Sequence, residues 1–206
     1  MRSARERMVA REIAARGVHD ERVLQAMRTV PREDFVPERR RQSAYEDHPL
    51  PIGHSQTISQ PFIVALMAEA ARIGPDDVVL EIGTGSGYGA AVLSHLAREV
   101  HTVERIPELA ESASVHLQGY SNVEVHTGDG TLGWPAAAPY DAIVVTAAAE
   151  TVPSQLTEQL AEGARLVIPV GEHSGTQKLL RIERRGADLT TADLGAVAFV
   201  PLIGDT

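Results

Sequence analysis

Glu81, Gly83, Gly85 and Gly87 stand in the run Glu81-Ile82-Gly83-Thr84-Gly85-Ser86-Gly87-Tyr88-Gly89, and those residue types at that spacing can bind a nucleotide. Glycine has no Cβ to hold a ligand off the backbone, and a helix opening behind such a loop offers unpaired N–H groups at its positive end. A dinucleotide fingerprint needs a third glycine where this chain has Tyr88. Glu104 follows Gly83 by twenty-one residues, where one carboxylate can receive both hydroxyls of a ribose. The plainer reading of Glu104 is an ion pair with Arg105. Gly128-Asp129-Gly130 adds a third group: Asp129 can accept from an adenine amino group while Gly130 lets the ring approach, or the triplet is an ordinary tight turn. No arginine is placed to take a 2′-phosphate, so NADP is not expected.

The elements that must position these groups can be read from periodicity. Met8, Val9 and Ile13 predict a helix over 3–16, and Val23, Leu24 and Met27 predict another over 20–29, started at His19-Asp20 and ended by Pro31. Residues 31–61 are rich in proline and aperiodic, which predicts a long loop of the kind that serves a binding site. A helix should begin at Pro61 and stop at Gly74-Pro75. Strands are expected at 78–82, 99–103, 123–126, 141–146 and 165–169, with helices between most of them. That alternation predicts a doubly wound, Rossmann-like parallel sheet with ligands at the carboxyl ends of its strands. Leu179–Ile182 and Ala196–Leu202 read as an antiparallel pair closing one edge.

Composition narrows the function classes. The chain has 206 residues, 43% of them apolar, enough for a sizeable core in a single domain spanning 1–206. Within it, 1–60 supplies helices and a substrate and cofactor loop, and 61–206 the nucleotide-binding core. The absence of cysteine excludes disulfides and thiolate chemistry. A formal net charge of −9 disfavours phosphate backbones, so no nucleic-acid partner is expected. The basic runs Arg39–Arg41 and Arg184–Arg185 read as solvated faces. No apolar stretch is long enough for a membrane helix, and the expectation is a cytoplasmic monomer.

The G-x-G-x-G run with an acid two residues ahead resembles the cofactor loop of AdoMet-dependent methyltransferases. Together with QTISQP at 56–61, preceded by YEDHPLPIG, and with GDG, PYDAIVVTAA, LVIPVG and the terminal FVPL, it resembles the protein-L-isoaspartate (D-aspartate) O-methyltransferase family. The likeness spans about 27–204, with the motifs in the family's order. It implies a class I methyltransferase sheet with S-adenosyl-L-methionine as cofactor and S-adenosyl-L-homocysteine as product. The implied reaction methylates the free α-carboxylate of L-isoaspartyl residues in damaged proteins and peptides, with D-aspartyl residues a second candidate.

By the same resemblance Ser59 is the catalytic serine, and Gln56, Thr57, Ile58 and Ser59 line the cofactor beside Glu81, Gly83, Gly85, Gly87, Glu104, Asp129 and Gly130. From the sequence alone, Ser59 could instead help cap the helix starting at Pro61. The chain departs from the family's usual pattern at Ser55, Gly89, Ala164 and Ala198; a positive φ at Ser55 would cost about 1 kcal/mol or more. His48 and His54 flank the loop without metal-ligand spacing, so no metal is expected. Two other readings remain open at this point: an aspartate O-methyltransferase acting on a modified peptide product, and an AdoMet-binding protein without catalysis.

Overall fold

The computed structural model describes residues 1–172 and 175–204. Six helices and nine strands organise them: α1 Arg2–Met8, α2 Glu21–Thr29, β1 Leu50–Gly53, β2 Gln56–Ile58, α3 Pro61–Ala71, β3 Val78–Ile82, α4 Tyr88–Ser94, β4 Glu99–Glu104, α5 Pro107–His116, β5 Val123–Thr127, β6 Tyr140–Val145, α6 Ser154–Glu158, β7 Leu160–Val170, β8 Gln177–Arg185 and β9 Asp188–Val197. The sheet order is β5-β4-β3-β6-β7-β8-β9, parallel from β5 to β7 and antiparallel beyond. From β3 the chain winds outward through β4 and β5, then returns to the other side of β3 as β6. The carboxyl ends of β3 and β6 therefore flank the point where strand order reverses, the usual place for a ligand in such sheets.

Apolar residues cover both faces. On one, Val79, Val100 and Val144 meet the helices α3 and α4, and Met8, Ile13 and Met27 from the N-terminal segment join the same core. On the other, Leu80, Ile82, Ile143 and Leu166 pack with Leu156 and Leu160. The alternation along β3 and β6 thus serves two buried faces, as a parallel sheet requires.

Local chemistry sets the helix ends. Asp20 caps α2 by accepting from the Arg22 and Val23 N–H groups. α1 widens into a π-turn at Val9–Ile13 and tightens at Ala14–Arg16, so the helix expected over 3–16 is continuous in path but not regular. α3 begins at Pro61 and ends at Ala71, where Arg72 turns left-handed before Gly74 is reached.

Two expectations need correction. The 31–61 segment is not wholly loop: it holds short 3₁₀ turns and the β1-β2 hairpin, whose strands of four and three residues are too short to show a period. At the carboxyl end, the second antiparallel strand is β9 at Asp188–Val197 rather than Ala196–Leu202. Its Thr190, Thr191 and Asp193 lie on the sheet's outer edge, where polar side chains face water and the apolar signal used to find strands is missing. The FVPL residues instead cross over β6's carboxyl end, with Ala148 N–H donating to the Val200 carbonyl at 2.8 Å and Leu202 N–H to the Ala148 carbonyl at 2.7 Å.

Candidate functional site

A cleft partly open to solvent lies at the carboxyl ends of β3, β4 and β6. Its floor is the glycine loop after β3. Gly83 has φ +94°, and a Cβ there would come within 2.5 Å of the Thr146 hydroxyl, which donates to the Gly83 carbonyl at 2.7 Å. Any side chain at 83 would therefore break the contact joining the loop to the end of β6. Gly85 has φ +53° and packs below Ile52 of the β1-β2 hairpin, so the N-terminal segment closes directly on the loop.

Glu104 ends β4 on the cleft wall and is 7% exposed. Its Oε2 accepts from the Gly85 N–H at 2.9 Å and its Oε1 from the Ile106 N–H at 3.0 Å. Each oxygen keeps a lone pair for a further donor, which suits a ribose diol. The bonds that hold the carboxylate come from the backbone, not from the Arg105 guanidinium proposed by the plainer sequence reading.

Glu81, near the end of β3, is 1% exposed. Thr102 donates to its Oε2 at 2.6 Å, the Thr84 and Thr102 hydroxyls are 2.7 Å apart, and the Ala90 N–H at the start of α4 also donates to the carboxylate. Burial pushes the Glu81 carboxyl up to about 8, with the charge of Glu104 adding to the rise and the Thr102 hydrogen bond opposing it. A Cβ at position 89 would stand 2.1 Å from Glu81 Oε1. The departure to Gly89 therefore opens the space that this carboxylate fills.

A further wall is Gln56–Ser59, and Val200–Ile203 also line the cleft. Ser59 precedes α3, whose cap position is Gln60, and no side chain at that position caps it. Asp47 does the work from a distance: its Oδ1 accepts from the Phe62 N–H at 3.1 Å, and its Oδ2 from Gln60 Nε2 at 2.6 Å. Ser59 thus lines the cleft without a capping duty.

Of the residues singled out from the sequence, Gln56, Thr57, Ile58, Ser59, Glu81, Gly83, Gly85, Glu104 and Gly130 line one cleft. Gly87 and Asp129 do not. Gly87 serves the turn into α4, with φ +91° and Leu117 3.1 Å from where its Cβ would be. Asp129 caps the turn that begins at Gly130: its Oδ1 accepts from both the N–H and the hydroxyl of Thr131, at 2.8 and 2.7 Å. Sequence reasoning missed Arg32, which is wholly buried behind Ser59. Nothing in its type or spacing sets it apart from the other charged residues of that proline-rich stretch.

The family model for protein-L-isoaspartate(D-aspartate) O-methyltransferase matches residues 3–206. Among curated proteins, the chain is 59% identical over 200 residues to a protein-L-isoaspartate O-methyltransferase of Rhodopseudomonas palustris, covering 96% of this chain and 92% of that protein. It is 57% identical over 203 residues to protein-L-isoaspartate O-methyltransferase 2 of Pelobacter propionicus, covering 97% and 90%. Among solved structures, a protein-L-isoaspartate O-methyltransferase superposes with TM-score 0.87 at 31% identity, over 97% of this chain and 66% of the other. A Plasmodium falciparum protein solved in complex with S-adenosyl-L-homocysteine shares the fold, with TM-score 0.84 at 24% identity over 98% and 99% of the two chains.

Proposed function

The chain belongs to the protein-L-isoaspartate(D-aspartate) O-methyltransferase family, and from that premise we propose how its cleft carries out the reaction. The enzyme transfers a methyl group from S-adenosyl-L-methionine to the free α-carboxylate of L-isoaspartyl residues, the first step in repairing damaged proteins. The observation that carries our assignment of the site is that Gln56–Ser59 faces Gly83, Gly85 and Glu104 across one cleft, so substrate and cofactor groups converge.

The cofactor supplies a methyl group already activated on a sulfonium. Residues 83 and 85 give it open backbone, Glu104 would take its ribose hydroxyls, and Gly130 would lie against its adenine. Glu81 would answer the cationic end of the molecule. The substrate's carboxylic acid, with a pKa of about 4, is ionised at neutral pH, so the protein need supply no general base. Ser59 would donate one hydrogen bond to that carboxylate and orient it without neutralising it. What remains is alignment of oxygen, methyl and sulfur, together with exclusion of water by Val200–Ile203 over the cleft. In this reading the N-terminal 60 residues and the core act as one catalytic unit.

The free α-carboxylate of an isoaspartyl residue lies one backbone atom away from where an aspartyl chain would put its own acid. Paired peptides differing only in aspartate or isoaspartate test the reading. The isoaspartyl peptide should be preferred by about a thousandfold, because a displacement of ~1 Å alone costs roughly a hundredfold. Equal rates would overturn it. The chain has no helix, among the described residues, long and apolar enough to cross a membrane. With its acidic charge, that fits our reading of a cytoplasmic monomer acting on proteins rather than on nucleic acid.

A further inference from the structure

Outside the cleft, β4 and β5 carry the same triplet near their amino ends: Glu99-Val100-His101 and Glu124-Val125-His126. Side chains alternate along a strand, so the glutamates and histidines of both triplets share one face of the sheet. Parallel register then sets His101 beside Glu124 and Val103 beside His126. His101 Nδ1 lies 3.0 Å from His126 Nε2 and 3.5 Å from Glu124 Oε2, and the three donor atoms fall within 4.8 Å of one another.

We propose that His101, His126 and Glu124 form a binding site for one zinc-class divalent transition-metal ion, with a remaining position open to water. Two imidazoles and a carboxylate are the donors such ions take, and they are poor donors for magnesium. Metal–nitrogen bonds of about 2.0–2.1 Å at tetrahedral angles separate ligand atoms by roughly 3.3 Å. The two spacings that involve His101, 3.0 and 3.5 Å, bracket that value, and all three donor atoms lie within 4.8 Å of one another, so the ligands are within side-chain adjustment of one ion.

The surroundings fix the ligands as a metal site requires. His101 is 4% exposed, and its Nε2, on the far side of the ring from Nδ1, stands 3.0 Å from Glu99 Oε1. That contact lies outside hydrogen-bond geometry here, but the Glu99 side chain is 42% exposed. A proton held on Nε2 toward Glu99 leaves the Nδ1 lone pair directed at His126, the carboxylate–histidine–metal arrangement. The His126 ring stacks on Trp134 with centroids 4.0 Å apart, which sets its orientation. Glu124 is 65% exposed in its side chain and leaves the site open to solvent.

The site is distinct from the cleft, since His101 precedes Glu104 by three residues, roughly 10 Å along the strand. The ion would pin the edge strand β5 to β4 and hold Trp134, in the segment that follows Gly130. The sequence expectation of no metal rested on His48 and His54. His48 is engaged by Glu46 and the Pro49 carbonyl, whereas the paired triplets meet through the register of β4 and β5.

The test is calorimetric titration of untagged, chelator-treated enzyme with zinc chloride, with magnesium chloride as control and cobalt(II) absorption as the probe of geometry. The expected result is one equivalent of zinc, no magnesium, a tetrahedral cobalt spectrum and a higher melting temperature in saturating zinc. His126→Ala and Glu124→Gln, both outside the buried core, should bind zinc at least about tenfold more weakly while keeping wild-type affinity for S-adenosyl-L-homocysteine. Absence of zinc binding would overturn the proposal, and so would equal binding by wild type and both variants. The two histidines would then be a hydrogen-bonded pair and nothing more.

Discussion

The Arg32 guanidinium donates from Nη1 to the main-chain carbonyl of Ser59 at 2.9 Å, so the serine at the cleft is held from behind by a buried cation. The same side chain donates from Nε to the Ala44 carbonyl at 2.7 Å and from Nη2 to the His48 carbonyl at 3.5 Å, and it lies 5.2 Å from the centroid of the Tyr88 ring. One planar fork therefore ties together three turns of the 31–61 segment. Burial lowers its pKa to about 10, which still leaves it charged at neutral pH.

Removing that fork should cost both stability and rate. Arg32→Ala leaves three buried or half-buried carbonyls without their donor, and unfolding in denaturant should show a loss of about 3–5 kcal/mol. Arg32→Lys keeps the charge without the fork geometry, so it should recover part of the stability while kcat stays low. A lysine variant with wild-type kcat would show that the fork does not position Ser59.

Ser59→Ala separates orientation from capping. Because Asp47 supplies the side-chain contacts at the start of α3, the melting temperature and the affinity for S-adenosyl-L-homocysteine should stay near wild type. Loss of one hydrogen bond to a charged carboxylate predicts a fall in kcat of roughly tenfold to a hundredfold. Steady-state kinetics beside a thermal melt checks it.

Glu81 predicts a pH dependence with a definite sign. Its carboxyl, at about 8 in the fold against 4.5 for an ordinary glutamate, keeps a proton that the unfolded chain has released. Between those values the folded state binds more protons, so the Glu81 contribution to stability is full below the lower value and is lost as pH rises through the higher one. Glu81→Gln should melt close to wild type near about pH 5 and above it near about pH 8.5 in the unliganded enzyme. Cofactor binding at neutral pH should release up to one proton in the wild type and none from this position in the variant, measurable by calorimetry in buffers of different ionisation enthalpy.

Ser55 has φ +57° and His54 φ +49° at the tip of the β1-β2 hairpin. The positive φ that would make the departure from glycine costly is therefore present. Two left-handed residues in a two-residue turn favour glycine at the second position. Ser55→Gly should raise stability by about 0.5–1 kcal/mol, the strain relieved being larger than the entropy added to the unfolded chain. A lower melting temperature would contradict this.

Glu104 and Asp129, taken from the sequence as equivalent acids, should differ on mutation. Glu104→Ala should weaken cofactor binding by about 1–3 kcal/mol, since it removes a charged acceptor from the cleft wall. Asp129→Ala should act first on stability, by breaking the turn with Thr131. Calorimetric affinities for S-adenosyl-L-homocysteine, compared with melts of the same variants, distinguish the two.

The sequence by itself determined the sheet and the family. Glycines at 83, 85 and 87 mark a turn that other residues would strain, apolar runs mark strands buried on both faces, and Glu104 falls at a strand end because β4 is the next strand along. These signals are local, carried by residue type and by periods of a few residues. Only the tertiary structure decided which groups share a cavity. Gly87 and Asp129 sit within the motifs yet are not among the residues that line the cleft; one makes the turn into α4 and the other bonds Thr131. Arg32 and Asp47 carry no motif at all, and they matter because the chain folds back to put their donors and acceptors against Ser59 and Gln60. The edge strand β9 carries no apolar run because water, not a core, covers its outer side. The paired Glu-Val-His triplets are visible as letters, but their meeting depends on the register between β4 and β5. Pairing between distant strands is set by the packing of the whole sheet, and no window of sequence contains it.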